Sequence, residues 1–281
     1  MRVRPPRIAG YVLGPRLGGG PTCEVFSATE SATGAVWAIK VLREEALDDE
    51  TNLLLFRREA RVGLTVRHPS LVRFLRAETY LRTPYHVVME RLPGQSLRAV
   101  LLRAGSLDFD FVVRLLRQIA EALAALQQYG IVHGDVKPDN IHLPEPNRAK
   151  LLDFGFAHRP GEDRDLFGDG FVLGTANYVA PELCQIPPDD NPAADIFSLG
   201  VTCYELLTGE LPYPLGSVEQ TMVQHRDREA CSLHNWRGSW PRAFGEFVER
   251  MLARNPVVRP TVSEIIFECK NWEQRKLRQA G

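Results

Sequence analysis

The hydrophobic pattern of this 281-residue chain changes character at Pro93-Gly94, and that change limits the folds open to it. Ahead of it lie Tyr11 to Leu17, Val25 to Ala28 and Val36 to Leu42, short runs rich in branched or aromatic residues and bounded by glycine or polar turns. Such runs read as strands, and Leu71 to Phe74 and His86 to Met89 read as two more. One charged segment, Phe56-Arg57-Arg58-Glu59, continues through Ala60 to Val66 and stops at His68-Pro69, which reads as a helix. Behind Pro93-Gly94, Phe111, Leu115, Ile119, Ala122, Leu123 and Leu126 recur at helical spacing up to Gly130. Strand-like runs follow at Ile131-Val132, Ile141 to Leu143 and Lys150 to Leu152. From Asp195 the pattern is helical, broken by Gly209 to Pro214 and Asn255-Pro256. The expectation is a small strand-rich lobe, a hinge over Glu90 to Gly94, and a larger helix-rich lobe. A cleft between two such lobes is a natural ligand site.

Composition narrows the function classes. With 44% apolar residues the chain can fill a core, and a net charge of −1 gives no global field directed at nucleic acid. The basic start, Arg2, Arg4 and Arg7 around Pro5-Pro6, lacks a following apolar run and is not a signal peptide; it reads as a solvated end. Cys23, Cys184, Cys203, Cys231 and Cys269 are scattered without a C-x-x-C pair, so neither a zinc site nor a disulfide scaffold is indicated. Reduced thiols fit a cytoplasmic setting. The longest apolar stretches, such as Phe197 to Leu207, are too short to span a bilayer.

Chemistry concentrates in a few segments. Gly18-Gly19-Gly20 lies between two strand-like runs, where glycine lets backbone N–H groups approach phosphate oxygens; a plain hairpin turn is the commoner use. Ala38-Ile39-Lys40 ends an apolar strand with a lysine that Glu59 is placed to hold. The decisive segment is His133-Gly134-Asp135-Val136-Lys137-Pro138-Asp139-Asn140. It offers a carboxylate to orient a hydroxyl, a lysine for phosphate charge and an amide oxygen for a metal. Asp153-Phe154-Gly155 follows thirteen residues after Asn140. Two oxygen ligands, Asn140 and Asp153, suit Mg²⁺ bound together with phosphates.

In these motifs and their order the chain resembles the eukaryotic-type protein kinases, and is similar to their bacterial Ser/Thr branch, from about Tyr11 to Lys270. The resemblance implies an α+β, bilobal fold, with an antiparallel-sheet N-lobe carrying one helix, over about 11–90, and a mostly helical C-lobe over about 95–270. Residues 1–10 and 271–281 are left as a basic lead and a tail. It also implies a signalling phosphotransferase that uses ATP with Mg²⁺, or Mn²⁺ in its place, on protein Ser or Thr hydroxyls. Gly18, Gly20, Cys23 and Val25 would cover the phosphates. Val25 and Ala38 above and Leu143 below would sandwich the adenine, with Met89 as gatekeeper and Glu90 and Leu92 in the hinge. Lys40, paired with Glu59, would contact the α- and β-phosphates. Asp135 would take the hydroxyl proton, Lys137 would steady the γ-phosphate, and Asn140 and Asp153 would hold metal. Thr175 would lie in the segment that seats the acceptor. Glu182 would bridge to Arg259, and Asp195 would pin the catalytic loop from below. Asp139 and Glu205 stand where some members read basic residues before the acceptor, a hint of basic substrate preference.

Four departures bear on activity. Cys23 replaces the third loop glycine, reading as a tolerated small residue ahead of a redox switch. Gly134 stands where most members carry an arginine that holds a phosphorylated activation segment. Phe156 to Gly174 contains no Ser, Thr or Tyr, so reader and mark are absent together, and the charges Arg159, Glu162, Asp163, Arg164, Asp165 and Asp169 are left to order the segment. Gly63 sits one turn after Glu59, where a larger apolar residue usually meets Phe154; it is expected to leave packing space unless Val62 or Leu64 fills it. Two readings therefore stand: an active kinase, and a pseudokinase that binds nucleotide or acts as a scaffold. A small-molecule kinase is disfavoured by the segment through Ala180-Pro181-Glu182.

Overall fold

The computed structural model describes residues 6–145, 147–162, 176–185, 188–236, 238 and 240–279. Five strands, β1 (Tyr11–Gly19), β2 (Cys23–Glu30), β3 (Val36–Leu42), β4 (Phe74–Glu78) and β5 (His86–Glu90), form an antiparallel sheet in the order β1-β2-β3-β5-β4. Strand side chains alternate between faces, and this sheet uses both. Phe26, Ala28, Ile39, Val41 and Val88 pack with Ile8 on one face, whereas Cys23, Leu42 and Val87 join the main core of the molecule. Register then matters for the site. Val25 and Val87 flank Lys40 across the strands, and Met89 lies opposite Ala38. Cross-strand partners share a face, so Val25, Ala38, Lys40 and Met89 look the same way.

Helix α1 (Glu50–Thr65) starts at Asp49, whose carboxylate accepts from the N–H groups of Thr51 and Asn52. It buries Phe56, Glu59, Ala60 and Gly63, one stripe at helical spacing. The strand expected at Leu71 to Phe74 is displaced: β4 begins at Phe74. The residues before it turn instead to the larger lobe, where Val72 N donates to Leu151 O at 3.1 Å and Leu151 N to Ser70 O at 2.8 Å. Likewise Val132 of the expected Ile131-Val132 strand makes only an isolated bridge, to His158.

The larger lobe opens with β6 (Gln95–Ser96), paired in a three-stranded sheet with β7 (Ile141–Glu145) and β8 (Arg148–Leu151). Gly94 before it has φ +86°, and a Cβ there would lie 2.0 Å from the Leu143 carbonyl, so only glycine fits. Then come α2 (Leu97–Ala104), α3 (Phe109–Gln127), α4 (Ala193–Thr208), α5 (Val218–Asp227), α6 (Arg242–Met251) and α7 (Val262–Gln279). α3 packs on α7, and Trp272 of α7 meets Phe244 and Phe247 of α6 edge-on. α4 is buried on every side from Ala194 to Leu207 and ends at left-handed Gly209. It is the axle of the lobe. No described helix is long and apolar enough to cross a membrane.

Gly63 corrects an expectation. The space beside it is filled from another element: a Cβ at Gly63 would lie 2.5 to 2.8 Å from three ring atoms of Phe74. The Phe74 ring occupies the place of a residue-63 side chain and carries on to Phe154, centroid to centroid 5.7 Å. Val62 is buried and Leu64 is partly exposed, but the gap is closed by β4. A large residue on the strand compensates for a small one on the helix, so α1 sits against a filled core.

Candidate active site

Two clusters face each other where the lobes meet. In the upper one, Lys40 Nζ lies 2.6 Å from Glu59 Oε2 and 3.7 Å from Asp153 Oδ1. Burial works against the Lys40 charge, but Asp153 and Glu59 outweigh it and hold its pKa above the ordinary range. Burial pushes the Glu59 carboxyl up to about 7 against the pull of that ammonium. At 2.6 Å the contact is that of an ionised, hydrogen-bonded pair. Asp153 is also pushed up by burial, yet Lys40 and the Gly155 N–H draw it below the usual carboxylate range. Its backbone is at φ +60°, a conformation non-glycine residues adopt at some cost. That turn buries Phe154 and leaves the Asp153 carboxylate at the cleft, where Gly155 N donates to Oδ1 at 3.2 Å.

The lower cluster is the turn over His133 to Asn140. Lys137 Nζ lies 2.9 Å from Asp135 Oδ1 and 2.7 Å from Oδ2. Asn140 Nδ2 donates to Asp135 Oδ2 at 2.7 Å and to the Asp135 carbonyl at 2.9 Å. With its amide nitrogen so engaged, Asn140 turns its oxygen the other way. The backbone of the turn hangs from α4: Asp195 accepts from His133 N at 2.7 Å and from Gly134 N at 2.9 Å. Burial raises the Asp195 carboxyl against the pull of His133 and these N–H groups. Buried His133 completes the frame, its Nδ1 accepting from Asp135 N at 3.2 Å and its Nε2 donating to Leu152 O at 3.1 Å. Gly134 has φ +77°, and a Cβ there would come within 2.9 Å of the Phe156 carbonyl. The turn as built calls for glycine.

The remaining expected residues fall around the cleft. Gly18 pairs with Val25 across the β1–β2 hairpin, and Gly20 N donates to Cys23 O at 2.9 Å. The Cys23 side chain is buried, and burial raises its thiol, which is the environment of an inert small residue and not of a reactive thiol. Leu143 is buried on β7, and Leu92 is partly buried against the main core. The Glu90 side chain turns away from the cleft, accepting from Lys150 Nζ at 2.6 Å and Arg73 N at 2.7 Å, so only its backbone can serve a ligand. Glu182 and Arg259 are paired and fully enclosed, with nitrogen–oxygen distances of 2.6 and 2.7 Å. Thr175, with Asp163, Arg164, Asp165 and Asp169, lies outside the described residues. Before that gap, Arg61 of α1 donates to Glu162 Oε2 at 2.9 Å, and Arg159 N donates to the same oxygen at 3.2 Å.

Sequence reasoning missed four contributors: Arg98, Tyr178, His158 and Asp190. Arg98 and Tyr178 join Asp139 and Glu205 in one network. His158 Nε2 meets Asp190 Oδ2 at 2.9 Å, tying the segment after Asp153 to the segment ahead of α4. For Arg98 the available signal was Ser96, which caps α2 through Ala99 N.

For a metal, the donor set is two oxygens, the Asn140 amide and the Asp153 carboxylate. That fits a hard cation that keeps its waters and arrives with substrate phosphates. Among the described residues no group of three or more His, Cys, Asp or Glu forms an all-protein cage.

A five-stranded sheet over a helical lobe, with a lysine–carboxylate cluster facing an Asp-Lys-Asn turn, is the build of the bilobal kinase fold. The comparisons agree: a family model described as protein kinase domain matches residues 11–269, and the chain belongs to the protein kinase family. It is 33% identical over 249 residues to the serine/threonine-protein kinase PknL of Mycobacterium tuberculosis, covering 89% of this chain and 62% of that protein. It is 32% identical over 276 residues to the serine/threonine-protein kinase pkn3 of Myxococcus xanthus, covering 94% and 50%. A probable serine/threonine-protein kinase of Clostridium acetobutylicum shares 29% over 263 residues, 93% and 39% of the two chains. The chain thus spans less than two thirds of the length of these relatives.

Proposed function

We propose that this chain is an active Ser/Thr protein kinase that moves the γ-phosphoryl group of Mg-ATP to a protein hydroxyl. The observation that carries this reading is the Asp135 carboxylate, held on both oxygens by Lys137 and on one by Asn140, beneath Lys40 fixed between Glu59 and Asp153. Positioning and charge stabilisation are what phosphoryl transfer asks of a protein. Asp135 orients the acceptor hydroxyl and takes its proton as the oxygen–phosphorus bond forms and the bond to the β-phosphate oxygen breaks, leaving ADP. Lys137 steadies the transferring group, and Lys40 holds the α- and β-phosphates. Asn140 and Asp153 would hold Mg²⁺, which when bound neutralises charge on the phosphate oxygens. Val25, Ala38, Met89 and Leu143 enclose the adenine, the backbone of Glu90 and Leu92 meets its edge, Gly18 and Gly20 close over the phosphates with Cys23 at the loop's end, and Thr175 belongs to the acceptor segment. The pseudokinase alternative draws on Cys23, Gly63 and Gly134, none of which removes a carboxylate, lysine or amide from this set.

The test is transfer itself. Purified protein with Mg-ATP and a generic basic protein is expected to yield phosphoserine or phosphothreonine, and Lys40→Ala to lower the rate at least ~100-fold. Binding of Mg-ATP with no transfer would sink the reading.

Activity is further proposed not to depend on phosphorylation between Phe156 and Gly174. The support is the missing acceptors, together with Glu162 already engaged by Arg61 and the Arg159 N–H. Phosphopeptide mapping of the active enzyme is expected to find this stretch unmodified. An essential phosphate mapped within it would count against the proposal.

A further inference from the structure

Beside the lower cluster an open groove of about 960 Å³ is lined by Asp139, Tyr178, Glu205 and Glu210 among others. Asp139 lies four residues after Asp135, so a chain whose hydroxyl reaches Asp135 runs past this wall. Two carboxylates from separate elements, Asp139 after the turn and Glu205 on α4, converge there. Alone they would be a receptor for a guanidinium, whose planar donors match carboxylates.

That place is already filled from within the chain. Arg98, in the first turn of α2, donates through Nε to Asp139 Oδ2 at 3.0 Å and through Nη1 to Glu205 Oε1 at 2.5 Å. Its Nη2 donates to the Tyr178 hydroxyl at 2.6 Å, and that hydroxyl donates to Glu205 Oε2 at 2.6 Å. Burial and the Glu205 charge hold the Tyr178 hydroxyl protonated far above its ordinary range, which fixes the direction of that last bond. All three nitrogens of the guanidinium thus have partners. The Glu205 side chain is 9% exposed, so an incoming cation could reach it only by displacing Arg98. An intramolecular group already aligned holds the advantage over a diffusing one, which must give up translational and rotational freedom to compete.

We propose that Arg98 is a specificity-determining residue, a built-in cation that occupies the acidic pair of the groove and removes selection for a basic substrate residue at that point. The inference deepens the reading of the chain as a protein kinase and rests on it. It replaces the basic preference that Asp139 and Glu205 suggest when read in the sequence alone.

The test uses the full chain with Mg-ADP and fluorescently labelled serine peptides in which one arginine is moved along an alanine background. Binding is read by anisotropy. Wild type is expected to hold all peptides within about 2-fold, and Arg98→Ala to bind one arginine register about 10-fold tighter, the gain of one exposed-to-half-buried charge pair. Glu205→Gln in that background is expected to erase the gain, and Arg98→Lys to stay flat. Arg98→Gln, which keeps hydrogen-bonding capacity but loses charge, replaces the alanine variant if that one fails to fold. An arginine step already present in wild type, or a flat profile in folded Arg98→Ala or Arg98→Gln, would overturn the inference. Transfer onto the same peptides is scored separately: no transfer from wild type with the binding pattern intact strikes the kinase reading alone.

Discussion

Asp135→Asn is expected to lower the rate of phosphoryl transfer by ~10²- to 10⁴-fold, the usual worth of a positioned general base, with little change in nucleotide affinity. The reason lies in what surrounds the carboxylate. Both oxygens accept from Lys137, and one also accepts from Asn140 Nδ2. An asparagine of the same shape must turn its NH₂ toward one of these donors, so it forfeits an acceptor as well as the ability to receive a proton. Lys40, proposed above to hold the nucleotide phosphates, and its partners Glu59 and Asp153 are untouched, so ATP is expected still to bind. The measurement is kcat and KM for ATP on purified wild type and variant, with folding verified by thermal melting. A variant within about 3-fold of the wild-type kcat would remove Asp135 from the chemistry.

The second large effect is on stability. Glu182→Ala is expected to cost ~3–5 kcal/mol, the range for breaking a buried ion pair by deleting one partner. Arg259 and Glu182 have side-chain exposures of 0% and 3%, and the two make a bidentate contact. The other Arg259 donors reach the carbonyls of Ala193, Ala253 and Arg254, so the guanidinium is satisfied only in this one arrangement. Its face also lies 5.1 Å from the Phe197 ring centroid. Removing the carboxylate strands a charge with no route to water. Since domains are stable by ~5–15 kcal/mol, the loss is a large part of the total. Urea unfolding checks it. A midpoint within experimental scatter of wild type would mean that the pair contributes nothing net.

Much of the candidate site's grouping was legible because its residues lie close together in the chain. Asp135, Lys137 and Asn140 fall within six residues, and strand alternation alone puts Lys40 on the face of Ala38. Glu59 could be paired with Lys40 because the run Val36 to Leu42 holds one lysine and the run Phe56 to Val66 one carboxylate. What escaped was what depends on distant packing. Phe74 fills the place of a residue-63 side chain across elements that no local pattern links, so a helical glycine looked like a void. The run Leu71 to Phe74 is apolar enough for a strand, but its first residues pair their backbone with Leu151 in the other lobe. α2 is short and follows a Pro-Gly turn, so Arg98 had no element to stand on and its four-residue network stayed hidden.

The suspension of the lower turn from Asp195 has a consequence for how the molecule fails. The amides of His133 and Gly134 are bonded to a carboxylate on α4, a helix with no exposed face from Ala194 to Leu207. Surface loops ordinarily open with little free energy, ahead of the core. Here the turn is fastened to a fully enclosed helix of the lobe and is expected to open with it. Warming should therefore leave the Asp135 geometry intact until the lobe itself melts, so that loss of function and loss of fold arrive together.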